Sequence, residues 1–234
     1  MINEIKEIIA SDMKELKDTL SEKFKEIKPE SDMKDEDAKG FWDGLFEKME
    51  SQEDGEYYNS YEDRLSKTPS PENTERGSWE GERGESKYKP SDETELGAKA
   101  VEKLNEKGLD GIEYKNAEPD FSKCSEATVQ IDNMTENRHD YQDASGKMQE
   151  GNFSQADKKC AELWNKQGKD NKTDWSPADV ENWRHENNCS WHERCDTKTM
   201  DLVPYDIHSY CGHYGGVAEC KVRDAVDFGG GFDE

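Results

Sequence analysis

The sequence predicts an α+β fold, and three observations carry that prediction. From about residue 79 onward, helix-start signals alternate with short β-branched or aromatic runs. Near the C-terminus the order is strand, strand, helix within a short span. The 234 residues leave room for one ordinary domain with appendages or two small ones, and with only 30% hydrophobic residues and a mean hydropathy of -1.26 the composition sits near the disorder border.

The elements follow in order. Ile2, Ile5, Ile9, Met13, Leu16, Leu20, Phe24 and Ile27 recur at three- and four-residue steps, which predicts an amphipathic helix over 1–28. Residues 29–76 are rich in Pro, Gly, Ser and acids and read as a linker. Within them, Phe41, Trp42, Leu45, Phe46 and Met49 form a short helix suited to docking. A domain is expected over 77–228, with a tail at 229–234. Its first helix follows Ser91-Asp92, runs through Leu96, Ala100, Val101 and Leu104, and stops at Gly108. A strand at Ile112 and Tyr114 turns near Asn116, and 127–131 reads as a second strand. Ser154 with Asp157 and Ser176-Pro177 with Asp179 look like capping boxes for two further helices. Then come a strand over 189–193, a loop over 194–199, a strand over 200–203, and a helix from Tyr205 ended by Gly215-Gly216.

The 56 acids outnumber the 32 bases, for a net charge of -24. Such a field repels nucleic acid unless basic residues act locally. The excess is uneven: residues 1–80 hold 23 acids against 12 bases, whereas 180–224 hold 8 against 5. Arg184, Arg194, Lys198, Lys221 and Arg223 flank the C-terminal elements, and Arg83 and Arg138 are candidates to fold near them. No run approaches the roughly 20 apolar residues of a membrane span, and the N-terminus lacks the apolar centre of a secretory signal. The six cysteines form no C-x-x-C pair, so free thiols are expected, with disulfides or a metal as alternatives.

Three of the five histidines, His192, His208 and His213, fall within 22 residues. Imidazole suits borderline divalent cations, and Glu193 or Asp206 could complete a site. On one regular helix His208 and His213 would point about 140° apart, so sharing an ion requires an irregularity near Gly212. His139 and His185 lie outside this group.

The window containing Trp191-His192-Glu193, then Lys198-Thr199-Met200, Leu202-Val203-Pro204 and Ile207-His208, then His213 and Gly215-Gly216 resembles a known family. It is similar to the WHH-type branch of the HNH/endonuclease VII superfamily, including colicin-like DNase domains of bacterial polymorphic toxins. Upstream text around Trp79, Gly108-Leu109-Asp110-Gly111, Pro119-Asp120-Phe121 and Asn133 to Arg138 extends the resemblance over about 77–224. The resemblance implies a ββα-metal core (HNH, treble-clef-like) at about 187–220. It further implies phosphodiester hydrolysis with one divalent ion (Zn, Mg, Mn or Ni), DNA ahead of RNA as substrate, and a cognate immunity protein. A bacterial protein, either cytoplasmic or exported by a non-classical toxin route, fits that picture. His208 and His213 match metal ligands. His192 and Glu193 match a ligand and a general base, with His192 favoured as base because a carboxylate titrates about two units lower. Arg194 and Lys198 are the substrate-binding candidates. The Asn of the three-letter signature is missing between Arg194 and His208, leaving Thr199 or a backbone carbonyl to orient the base. Two other readings stand beside this one. One is a non-catalytic zinc-stapled scaffold using Cys195, Cys211 or Cys220, and the other is an acidic binding or immunity-type protein.

Overall fold

A computed structural model describes residues 57–229. The helix expected over 1–28, the docking helix around Phe41 and nearly all of the tail lie outside the described residues. The fold is α+β, with small antiparallel sheets and six α-helices among the described residues.

The chain enters through α1 (Tyr61–Lys67), capped by Ser60, whose side chain accepts the Asp63 N–H. Residues 57–76, read as linker, are therefore structured. Arg64 is buried there and donates to the Asn116 carbonyl at 3.0 Å. β1 (Gly77–Trp79), β2 (Lys87–Pro90), β3 (Ile112–Lys115) and β4 (Glu118–Pro119) form a four-stranded antiparallel sheet in chain order. The β3–β4 hairpin turns on Asn116 and Ala117, both at positive φ (53° and 60°), the backbone of a two-residue turn that Asn favours. α2 (Glu95–Glu106) starts two residues later than expected: Thr94, not Asp92, caps it by accepting the Gly97 N–H.

A second sheet has the order β5 (Ala127–Gln130), β9 (Thr199–Pro204), β8 (Cys189–Glu193), all antiparallel. β6 (Tyr141–Gln142) and β7 (Met148–Gln149) make a small ribbon before α3 (Asn152–Gln167). The expected Ser154–Asp157 capping box is absent. Gly151 occupies the N-cap, and Asp157 is instead buried inside the helix, where the Trp191 Nε1–H donates to it at 2.8 Å. A tertiary partner has claimed the side chain that the local pattern assigned to the cap. The Ser176–Asp179 box is present at the start of α4 (Pro177–Glu186).

Strand alternation distributes the core. Trp191, Met200 and Leu202 pack with Phe153, Ala156, Cys160 and Trp164 of α3. Val203 turns the other way and packs with Leu104, Phe121, Ile207 and Tyr210. α5 (Tyr205–Tyr210) is short, and Gly215-Gly216, expected to end its helix, instead lead into α6 (Gly216–Gly229). Both glycines are pressed against backbone. A Cβ on Gly215 would sit 2.7 Å from the Glu193 carbonyl oxygen, and one on Gly216 would sit 2.5 Å from that of Arg194. The paired glycines therefore let the 211–215 loop close onto the end of β8.

Candidate metal centre

The end of β8, the last turn of α5 and the following loop converge on one point. His192 is fully buried in β8, while His208 on α5 and His213 in the loop are half-buried. Because α5 ends at Tyr210, His213 leaves the helical register, and the 140° divergence of a regular helix does not arise. One ring nitrogen from each histidine lies within 4.8 Å of the others. Phe121 presents its ring edge-on to all three, with centroids 4.9, 5.6 and 5.7 Å from those of His192, His208 and His213.

The protons can be followed through the site. The Cys211 carbonyl lies 2.6 Å from His213 Nδ1, so that nitrogen carries the hydrogen and Nε2 carries the lone pair. This Nε2 faces His192 Nδ1 at 3.1 Å. If His192 donates from Nδ1, its buried Nε2 is an acceptor without a partner. If it is protonated on Nε2, that N–H has no acceptor and two lone pairs face each other. Either tautomer leaves a buried polar group unsatisfied, which is costly without a further ligand. A cation between the lone pairs removes their mutual repulsion in the second arrangement, and a carbonyl bond to the distal ring nitrogen, as His213 has, is the usual support for a metal-binding histidine. The three residues fit a divalent cation on these grounds.

Electrostatics agrees. Burial holds His192 well below the usual imidazole range, with like-charge repulsion from His213 and His208 adding to it. Burial also pushes His208 down to about 3 and His213 to about 4. All three rings are neutral at pH 7, the form that binds metal.

Residues 111–215 match the family model for the DNase/tRNase domain of colicin-like bacteriocin, a span that contains all three histidines. That stretch is similar to a colicin-like nuclease domain. No curated protein and no solved structure matches the chain.

Around the histidine cluster the other sequence-selected residues fare differently. Glu193 is buried, and strand alternation turns it away from the face that bears His192. Arg138 Nε donates to Glu193 Oε1 at 3.3 Å, and the nearby Asn152 side chain also favours the charged carboxylate. Burial raises the Glu193 pKa, and Arg138 opposes the rise. Arg194 folds back in a bidentate pair on fully buried Asp201, at 2.6 and 3.0 Å. Lys198 is exposed in the β8–β9 loop. Thr199 donates to Asp196 Oδ2 at 2.5 Å, so its hydroxyl is engaged away from both His192 and Glu193.

The sequence reading missed Asn152. It is fully buried at the first residue of α3, and no spacing rule links it to a residue some 40 positions downstream. Among the flanking bases, Arg184 is bound to Asp157, Arg223 to Asp224 and the Met134 carbonyl, and Arg83 to Thr68. Of the two upstream arginines named from sequence, Arg138 is the one that reaches the site.

All six cysteines are free and buried. Cys195 and Cys220 donate to the Tyr214 and Met134 carbonyls, each at 3.4 Å, and burial pushes Cys211 and Cys220 up to about 12 and about 11. They are protonated thiols with their own roles in packing. Among the described residues the metal-capable cluster consists of histidines.

Proposed function

We propose that this protein is a metal-dependent endonuclease that hydrolyses phosphodiester bonds, DNA ahead of RNA, and acts as a bacterial toxin countered by a cognate immunity protein. Its β8, β9 and α5 are read as the ββα-metal core of an HNH-type enzyme. One observation carries the reading: three neutral imidazoles, one with an unpartnered buried nitrogen, converge inside the segment that matches a colicin-like nuclease domain.

His192, His208 and His213 would hold the ion, and three nitrogen donors favour Zn²⁺ or Ni²⁺ over Mg²⁺. Three protein ligands leave room for substrate or water. When bound, the cation supplies Lewis-acid stabilisation of the negative charge growing on the scissile phosphate and leaving oxygen. His192 serves as a ligand in this scheme, and Glu193 becomes the base. Burial moves the Glu193 pKa toward neutrality, the direction a base working near pH 7 needs. Arg138 couples the two faces of the strand end: it bonds Glu193, and its charge is felt at all three histidines. The cysteine-ligated zinc scaffold loses support because, among the described residues, the side chains that converge on a metal-capable point are histidines and include no cysteine. Among the described residues, no helix is long and apolar enough to cross a membrane.

The test uses metal-stripped protein with supercoiled plasmid or total RNA and separately added Zn²⁺, Ni²⁺, Mn²⁺ or Mg²⁺. Cleavage by the wild type is expected with at least one ion. His208→Ala should lose both metal binding and cleavage, whereas Glu193→Gln should retain metal binding and lose about 100-fold or more in rate. If the wild type cuts neither polymer with any ion, the nuclease reading fails and an acidic binding protein takes its place.

A further inference from the structure

Arg138 is placed at odds with a simple cation site. Its side chain is 55% exposed, yet it pairs with a carboxylate that is only 3% exposed. Its bond to Glu193, the residue next to His192 on β8, brings the guanidinium to the strand end from which the histidine cluster is built. A positive charge there weakens the binding of any cation by Coulomb repulsion. The arrangement becomes favourable once an anion joins both. Only Nε–H is used, in a long 3.3 Å bond, and the two terminal nitrogens make no hydrogen bond among the described residues. They present the planar fork that suits a phosphate.

The backbone beneath Arg138 is rigidly held. The Asn152 side chain accepts the Thr135 N–H at 2.9 Å and donates to the Thr135 carbonyl at 2.8 Å. The Asn137 and Arg138 carbonyls accept the N–H groups of Asn152 and Phe153, each at 3.0 Å. The start of α3 thus grips both sides of the loop that carries the arginine. Arg194, by contrast, has its fork closed on buried Asp201. In a chain of net charge -24, a free fork beside the metal-capable cluster is the local positive element that a polyanion requires.

We propose that Arg138 is the phosphate-capturing residue of the site, parked on Glu193 in the free protein and positioned by the Asn152-pinned loop. Phosphate binding draws the guanidinium from Glu193 Oε1 to the nucleic-acid backbone and leaves the Glu193 carboxylate unblocked. The inference rests on the nuclease reading above, but its test does not depend on cleavage.

The full chain is compared with Arg138→Gln and Arg138→Lys. Metal-free protein is titrated with a fluorescein-labelled duplex oligonucleotide across a salt series, and Zn²⁺ alone is titrated by calorimetry. Arg138→Gln should weaken oligonucleotide binding about tenfold and reduce the log–log salt slope by about 0.9, the value for one lost phosphate contact. Zn²⁺ affinity should move the opposite way and rise several-fold as the repulsion is removed. Arg138→Lys should retain the salt slope and lose part of the affinity, because charge survives and the fork does not. On plasmid, the glutamine variant should raise KM more than it lowers kcat. Oligonucleotide binding and salt slope unchanged from wild type in Arg138→Gln would overturn the proposal, even if the wild type proves to be a nuclease. Loss of binding in that variant would support it even if the wild type cuts nothing.

Discussion

Two buried polar clusters lie on opposite faces of β8, and they are built differently. On the Trp191 face, Asp157 accepts the indole N–H of Trp191 at 2.8 Å and the Arg184 Nε–H at 3.3 Å, with Asp157 and Arg184 4% and 6% exposed. Opposite charges meet there, and the Trp191 indole adds a neutral donor. On the His192 face, three neutral rings of one kind crowd together and leave His192 Nε2 without a partner. The first cluster is complete within the protein and holds α3, α4 and β8 together. The second is complete only with something the protein does not supply. Adjacent residues on one strand thus serve stability on one side and ligand binding on the other, and unmet bonding capacity distinguishes them.

The largest test of this contrast is Asp157→Ala. It leaves buried Arg184 with only the long 3.4 Å pair to half-exposed Glu181 as an acidic partner, and should cost about 3 kcal/mol in denaturant unfolding. A loss under about 1 kcal/mol would mean that the Trp191 face is not the structural one.

Acid should act on the other face. In the metal-free protein, His208 and His213 take up protons only near 3 and 4, whereas unfolded imidazoles do so near 6.5. Below about pH 6.5 the unfolded chain therefore binds more protons than the folded one, so stability present above that pH is lost as pH falls toward 4. Each histidine contributes a slope of about 1.4 kcal/mol per pH unit. Chemical denaturation at pH 7.5, 6.5 and 5.5 should show the loss, and His208→Ala should remove about a third of it, because His192 is held neutral by burial as well. A flat profile would show that the rings are not held neutral by burial.

The smallest effect concerns the joint between the loop and the strand. Gly216→Ala forces a Cβ against the Arg194 carbonyl and the Met134 sulfur, which should cost about 1–3 kcal/mol by overpacking. Because Glu193 borders the same contact, Zn²⁺ affinity measured by calorimetry should fall as well. Unchanged affinity would separate the glycine pair from the metal centre.

Local chemistry was readable wherever its partners were near in sequence. The strand over 189–193 is found residue for residue, because its alternation needs only its neighbours. The Ser176–Asp179 box closes within one helical turn. The three histidines announce themselves by clustering. The Ser154–Asp157 signal failed since Trp191 and Arg184, 34 and 27 residues away, compete for the same carboxylate. Arg194 looked available beside the motif, but its partner Asp201 lies across the β8–β9 turn, where only strand register brings the two together.

By itself the sequence determined the α+β class, the strand, strand, helix order, and the set of imidazoles that could share an ion, since periodicity, capping and spacing are local properties. Tertiary structure decided which groups are satisfied. It ended α5 at Tyr210 so that His213 could turn inward, folded Gly215-Gly216 against β8, closed Arg194 on Asp201, and brought Arg138 and Asn152 to Glu193 from 55 and 41 residues away. Burial and hydrogen bonding depend on what the chain packs against, and that is settled only when distant segments meet.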